Sequence, residues 1–167
     1  MIVLFYVAAV VAVFSTVMVI TRLNAVYALL YFIVSLFAVA LIFFLLGAPF
    51  IAALEVIVYA GAIMVLFVFV VMLLNLGQQA VEQERQWLQP GAWVGPSFLA
   101  AILLLELGYI LAQGGGATIA GSAVTPKEVG QVLFGPYLLG VELASMLLLA
   151  GLIGAYHLGR RDRGEQR

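Results

Sequence analysis

Three glutamates stand inside long apolar runs of this chain: Glu55, Glu106 and Glu142. A carboxyl surrounded by hydrocarbon is expensive, so such residues hold or relay protons, pair with other groups, or face water. No Lys or Arg lies within the same runs, which leaves tyrosine, water or other chains as partners. Glu55 opens the stretch E-V-I-V-Y-A-G-A-I-M-V-L-F-V-F-V-V-M, which ends at Met72. Tyr59 follows one helical turn later on a common face and can donate to the carboxylate or to a water. The pair either ends a hydrated polar path or is a buried acid with the tyrosine that satisfies it; the residues alone leave both open. Ala60-Gly61-Ala62 gives the same stretch a narrow waist. Small residues of this kind normally mark close helix packing in membranes, and that reading is favoured from the residues alone. A glycine beside an aromatic is also where a π-bulge or kink can form. His157 stands near the end of the last apolar run, as a solvated or dipole-compensating side chain rather than a metal ligand.

The elements that must position these groups are membrane helices. The chain is 66% hydrophobic and 9% charged, against about 25% charged for a soluble domain. Its mean hydropathy is +1.22. The longest polar connection runs only from Gln113 to Pro136. Five spans are expected, at about 2–21, 25–46, 51–76, 93–112 and 137–158, each near the ~20 residues that cross a bilayer. No run alternates as a barrel strand would, so the fold class is an all-α membrane protein, one membrane domain over 1–167. The first run lacks a basic start and a small-residue cleavage site, and is expected to be a retained helix rather than a signal peptide.

Charge sets the expected orientation. Arg22, Arg85, Arg160, Arg161, Arg163 and Arg167 fall on one side of the five spans and Lys127 alone on the other. The excess predicts an N-terminus outside and a C-terminus in the cytoplasm, with 159–167 a basic cytoplasmic tail. Trp87 and Trp93 then flank the cytoplasmic end of span four. All three acids fall on the outer side of the midplane. At ~1.5 Å per residue, Glu55 is roughly 12 Å from the middle of its span, Glu142 roughly 8 Å and Glu106 roughly 5 Å. Glu55 and Glu142 lie in the N-terminal parts of their helices but past the first turn, where the dipole helps little. Glu106 lies toward a C-terminal end, where the dipole disfavours an anion, so it is expected to carry its proton or pair with another chain.

Local punctuation agrees with these limits. Asn24 is placed to cap span two, and Pro49 to start span three. Thr125-Pro126-Lys127-Glu128 has the form of a capping box opening a short helix over about 126–133. Val129, Val132 and Leu133 would form its apolar side, against the membrane or a neighbouring subunit. Gly114-Gly115-Gly116 reads as a hinge.

Several function classes drop out. Zero cysteines exclude Fe–S clusters and thiolate metal sites, and no span carries a histidine suited to haem. There is no phosphate loop or nucleophile constellation, and the net charge of −1 argues against nucleic acid as a partner. Redox chemistry is not expected from this chain alone.

The block from Glu55 to Met72 closely resembles the third helix of the J-subunit family of proton-pumping NADH:quinone oxidoreductase, respiratory complex I. N-A-V-Y-A-L-L-Y at Asn24 to Tyr31, E-R-Q-W-L-Q-P at Glu84 to Pro90, and F-G-P-Y-L-L-G-V-E-L-A-S-M-L-L-L-A at Phe134 to Ala150 are similar to the same subunit. The resemblance covers nearly the whole chain and is weakest in the outer loop and the tail. It implies a cofactor-free membrane-arm subunit in a hetero-oligomer, multi-pass in a bacterial inner (plasma) membrane. NAD, FMN, Fe–S clusters and quinone are implied in partner subunits. It also implies a π-bulge in the third helix that can relax, rotate the helix and gate a water path. Carried over residue by residue, the gate positions are Tyr59, Ala60, Gly61, Val65 and Phe67. Glu55 and Glu142 fall in matching blocks and are the associated proton-path candidates. Glu106 falls in a stretch that matches no family motif.

The reading is therefore a subunit that couples quinone reduction to proton translocation through conformational and hydration changes of helix three. A self-sufficient transporter built on Glu55 or Glu106 is the rival; the absence of internal repeats and of an in-span basic group stands against it. A purely structural spacer is the other alternative.

Overall fold

The computed structural model describes residues 1–22, 25–74, 90–114, 119 and 122–159. The expected cap at Asn24, the residues Arg85 and Trp87, the glycines Gly115 and Gly116, and the basic tail past Gly159 lie outside the described residues.

Among the described residues all regular structure is helical, and five helices are long and apolar enough to cross a membrane. Helix α1 is Ile2–Thr21 and α2 is Ala25–Leu45. Helix α3 starts at Pro49 and continues in three pieces: Pro49–Leu54 in α geometry, Glu55–Ile63 in π geometry and Met64–Leu74 in α geometry. Helix α4 is Pro90–Ala112, beginning three residues before the expected 93 and holding Pro96 within it. Two further helices follow, α5 at Pro126–Leu133 and α6 at Leu138–Gly159.

The chain divides into two compact units, Met1–Val124 and Thr125–Arg167. In the first unit, α1 and α2 form the main packed pair, and α2 also packs along α3 and α4. Its apolar core gathers Ala8 and Val11 of α1, Val34, Ala38 and Leu41 of α2, and Leu99, Leu103 and Ile110 of α4. Between α1 and α2 the Thr16 and Ser35 hydroxyls meet at 2.9 Å, and Thr16 Oγ1 also donates to the Ala12 carbonyl at 2.8 Å. Such back-bonding satisfies a hydroxyl where no water competes.

The turn from α2 to α3 is set by a glycine. Gly47 adopts φ +85°, a left-handed conformation that costs a residue with a Cβ roughly 1–2 kcal/mol. Its N–H donates to Phe44 O at 3.0 Å and the Ala48 N–H to Phe43 O at 2.9 Å, the paired bonds that close a helix C-terminus. Pro49 then occupies the first turn of α3, where its missing N–H is harmless. The chain after α4 returns to this turn: the Ile119 N–H donates to Leu45 O at 2.9 Å and the Val124 N–H to Gly47 O at 2.7 Å.

In the second unit, the Thr125 side chain accepts from the Glu128 N–H at 3.3 Å, and the Thr125 N–H donates to Glu128 Oε2 at 2.7 Å. This is the capping box expected from the sequence, and it opens the helix at Pro126 as read. Those bonds, the backbone donor first and the Thr125 hydroxyl second, hold the Glu128 carboxyl below the usual carboxylate range.

Candidate functional site

Helix α3 changes hydrogen-bond register where its polar residues lie. At the start, the Glu55 N–H still donates to Ile51 O and Ala52 O, four and three residues back. At the end, the Met64 N–H donates to Tyr59 O, five residues back, and to Gly61 O. Between these points the backbone runs in π geometry over nine residues. π geometry is rare, occurs mostly as single-turn insertions in α-helices, and is frequent at functional sites. From the residues alone, packing is the favoured role of the Ala60-Gly61-Ala62 waist. In the structure the waist is also where the register shifts.

The π segment carries Glu55, Tyr59, Ala60 and Gly61, while Val65 and Phe67 stand on the α-helical piece that follows. It packs against α2 yet buries none of its own residues fully. Glu55 is half-buried, and Tyr59, Val65 and Phe67 are at least half exposed within this chain. Met64, just past the segment, is by contrast 1% exposed in this register. No hydrogen bond joins the Glu55 and Tyr59 side chains among the described residues. Glu142 lies on α6 in the second unit and is exposed there; its backbone carbonyl accepts from Ser145 Oγ at 2.7 Å.

An apolar groove of about 660 Å³ runs beside the segment. Val34, Phe37 and Leu41 of α2, Val56 and Ile57 of α3, and Leu103 of α4 are among its walls. One face of the π segment is thus left without tight packing.

The acid that the sequence places last is the one this chain buries best. Glu106 is 6% exposed, and both of its carboxyl oxygens lack a hydrogen-bond partner among the described residues. Leaving a buried polar group unsatisfied costs about 1–3 kcal/mol, more if it is charged. The Ser15 hydroxyl of α1 is fully buried and equally without a partner among the described residues. The signal for Glu106 was the spacing Leu99, Leu103, Glu106, Ile110, which puts the acid on the packed stripe of α4. Because α4 is apolar all round, the sequence does not say which stripe turns inward.

A family model described as NADH-ubiquinone/plastoquinone oxidoreductase chain 6 matches residues 15–158. The chain is similar to a protein of Pseudomonas aeruginosa named NADH-quinone oxidoreductase subunit J, 65% identical over 159 residues, which are 95% of this chain and 96% of the relative. Its similarity to the protein of the same name from Escherichia coli K12 is 57% identity over 159 residues, 95% of this chain and 86% of the relative. The counterpart of Buchnera aphidicola from Schizaphis graminum is 51% identical over 159 residues, covering 95% and 98%. With matches that span nearly its whole length, a multi-pass helical architecture and the motifs of its third helix in place, the chain belongs to the family of J subunits of NADH-quinone oxidoreductase, the membrane-embedded chain 6 of that enzyme complex.

Proposed function

We propose that this subunit couples quinone reduction in neighbouring subunits to proton translocation, and that the moving part is α3. The observation that carries the proposal is the π segment Glu55–Ile63, set between two α-helical pieces. Shifting a π turn back to α geometry changes the register by one residue. That turns Met64–Leu74 relative to Pro49–Leu54 by about 100°, the angle per residue at 3.6 residues per turn. Such a turn moves Val65 and Phe67, which like Tyr59 are at least half exposed in this chain, and changes the direction they face relative to Glu55 and Tyr59. Water beside Glu55 and Tyr59 would then be admitted in one register and excluded in the other. Glu142, on α6, is the second proton-path candidate, through contacts with partner subunits.

The chain holds no cofactor in this scheme: NAD, FMN, Fe–S clusters and quinone belong to the partners. The subunit sits in the bacterial inner membrane with its N-terminus outside and its C-terminus in the cytoplasm, as the distribution of arginines favours.

The test is Gly61→Val, compared in membranes that contain equal amounts of assembled complex. Artificial acceptors that take electrons from NADH bypass the membrane arm, whereas quinone-linked activity requires it. The proposal expects the ratio of quinone-linked to artificial-acceptor activity, and the proton gradient, to fall together. Wild-type values for both would mean that α3 is a packing element.

A further inference from the structure

A second polar series runs through the core of the first unit, away from α3. The Tyr31–Gly95 contact near the starts of α2 and α4, and the Ile119 N–H to Leu45 O bond just past their ends, set these helices parallel. Arg22 lies at the starting end, its guanidinium carbon 5.6 Å from the centre of the Tyr31 ring. Ser35 comes four residues beyond Tyr31, roughly 6 Å along the axis, and meets Thr16 of α1 there. Ser15, next to Thr16, turns its partnerless hydroxyl into the core on the stripe shared with Ala8 and Val11. Glu106 comes eleven residues beyond Gly95, roughly 16 Å along α4. Hydroxyls thus lie between the Arg22–Tyr31 end and the buried carboxyl.

Ser35 and Glu106 are roughly 10 Å apart along the axis, a stretch where the small Ala38 stands among Val11, Leu41 and Leu103 of the same core. Glu106 is the one charged residue in α1, α2 and α4. Of the tyrosines on these helices, Tyr6 and Tyr109 are exposed and Tyr27 is partly buried; Tyr31 alone is buried in the same core. Among the described residues no basic side chain neutralises this acid, and a carboxyl so held can keep and exchange a proton.

We propose that Glu106 is a proton-exchanging site of this chain, separate from α3 and reached from the Arg22–Tyr31 end past Ser15, Thr16 and Ser35. In each exchange the carboxyl O–H bond breaks, the proton passes to a water carried in along the hydroxyls, and the carboxylate later takes a proton back by the same route. No electron moves and no other group is consumed. The proposal rests on the proton-translocating role above for its use by the enzyme, and not for its existence.

Infrared difference spectroscopy on the intact complex tests it. A carboxylic C=O band should be lost in Glu106→Gln, should shift when H₂O is replaced by D₂O, and should shift several-fold more slowly in Ser15→Ala. If Glu106→Gln prevents assembly, Glu106→Asp keeps the carboxyl, displaces its band and gives the same assignment. Identical spectra from wild type and variant would overturn the proposal. So would a Glu106 band that D₂O leaves in place, or one whose exchange Ser15→Ala does not slow. Failure of the α3 scheme would appear instead as normal pumping in Gly61→Val and would leave the exchange at Glu106 unchanged.

Discussion

A Cβ placed on Gly61 would stand 3.2 Å from the carbonyl oxygen of Val56, five residues back along α3. That distance is tight, and it exists because the π register brings the fifth residue close. An added methyl therefore presses against the π form. Gly61→Ala should shift the segment toward α geometry, and Gly61→Val further because of its bulk. Quinone-linked proton pumping should fall in the order wild type, alanine, valine. An alanine variant more impaired than valine would show that size at this site is not what matters.

The contact of Gly95 with Tyr31 gives a second prediction. A Cβ at Gly95 would collide with Tyr31 Oη and lie 3.1 Å from Cζ. Overpacking of this kind costs about 1–3 kcal/mol. Gly95→Ala should lower the amount of assembled complex in the membrane, and Tyr31→Phe, by removing the hydroxyl, should restore part of it. No recovery in the double variant would mean that Gly95 serves something other than the tyrosine.

The cap of α5 should respond to pH. Folding lowers the Glu128 carboxyl, so the stabilisation it gives is complete above the ordinary carboxylate range. It is lost as pH falls through the lowered folded-state value. Amide exchange of the first turn of α5 should therefore be protected at neutral pH and lose protection in acid. In Glu128→Gln that acid step should be absent, whereas a step of unchanged size would assign the effect to another group.

Orientation is open to direct labelling, because the chain has no native cysteine. A cysteine at Ser122 should react with an impermeant reagent added outside intact cells, and one at Gln86 should not. The reverse pattern would invert the arginine argument.

The residues spoke clearly wherever one helix or one turn decided the matter. The five spans follow from apolar runs of bilayer length, and Thr125-Pro126-Lys127-Glu128 specifies its own helix start through bonds three residues apart. The geometry of α3 was less legible. A glycine beside Tyr59 allows either a close approach or a shifted register, and only the backbone bonds from Met64 to Tyr59 distinguish them. Least legible was Glu106. Its burial depends on how α4 is rotated against α1 and α2, and a helix apolar on every side gives no hint of that rotation. Ranking the acids by helix dipole and by resemblance favoured Glu55 and Glu142, which this chain leaves half-buried and exposed.

The two backbone bonds that return from beyond α4, Ile119 to Leu45 and Val124 to Gly47, fasten the turn from which α3 departs. A rod clamped at one end delivers any twist at the other. If the π segment winds or unwinds, Pro49–Leu54 is held and the displacement is delivered by Met64–Leu74. The neighbours positioned to receive the motion are those that touch the far half of α3, and a crosslink there should arrest turnover where one near Pro49 would not.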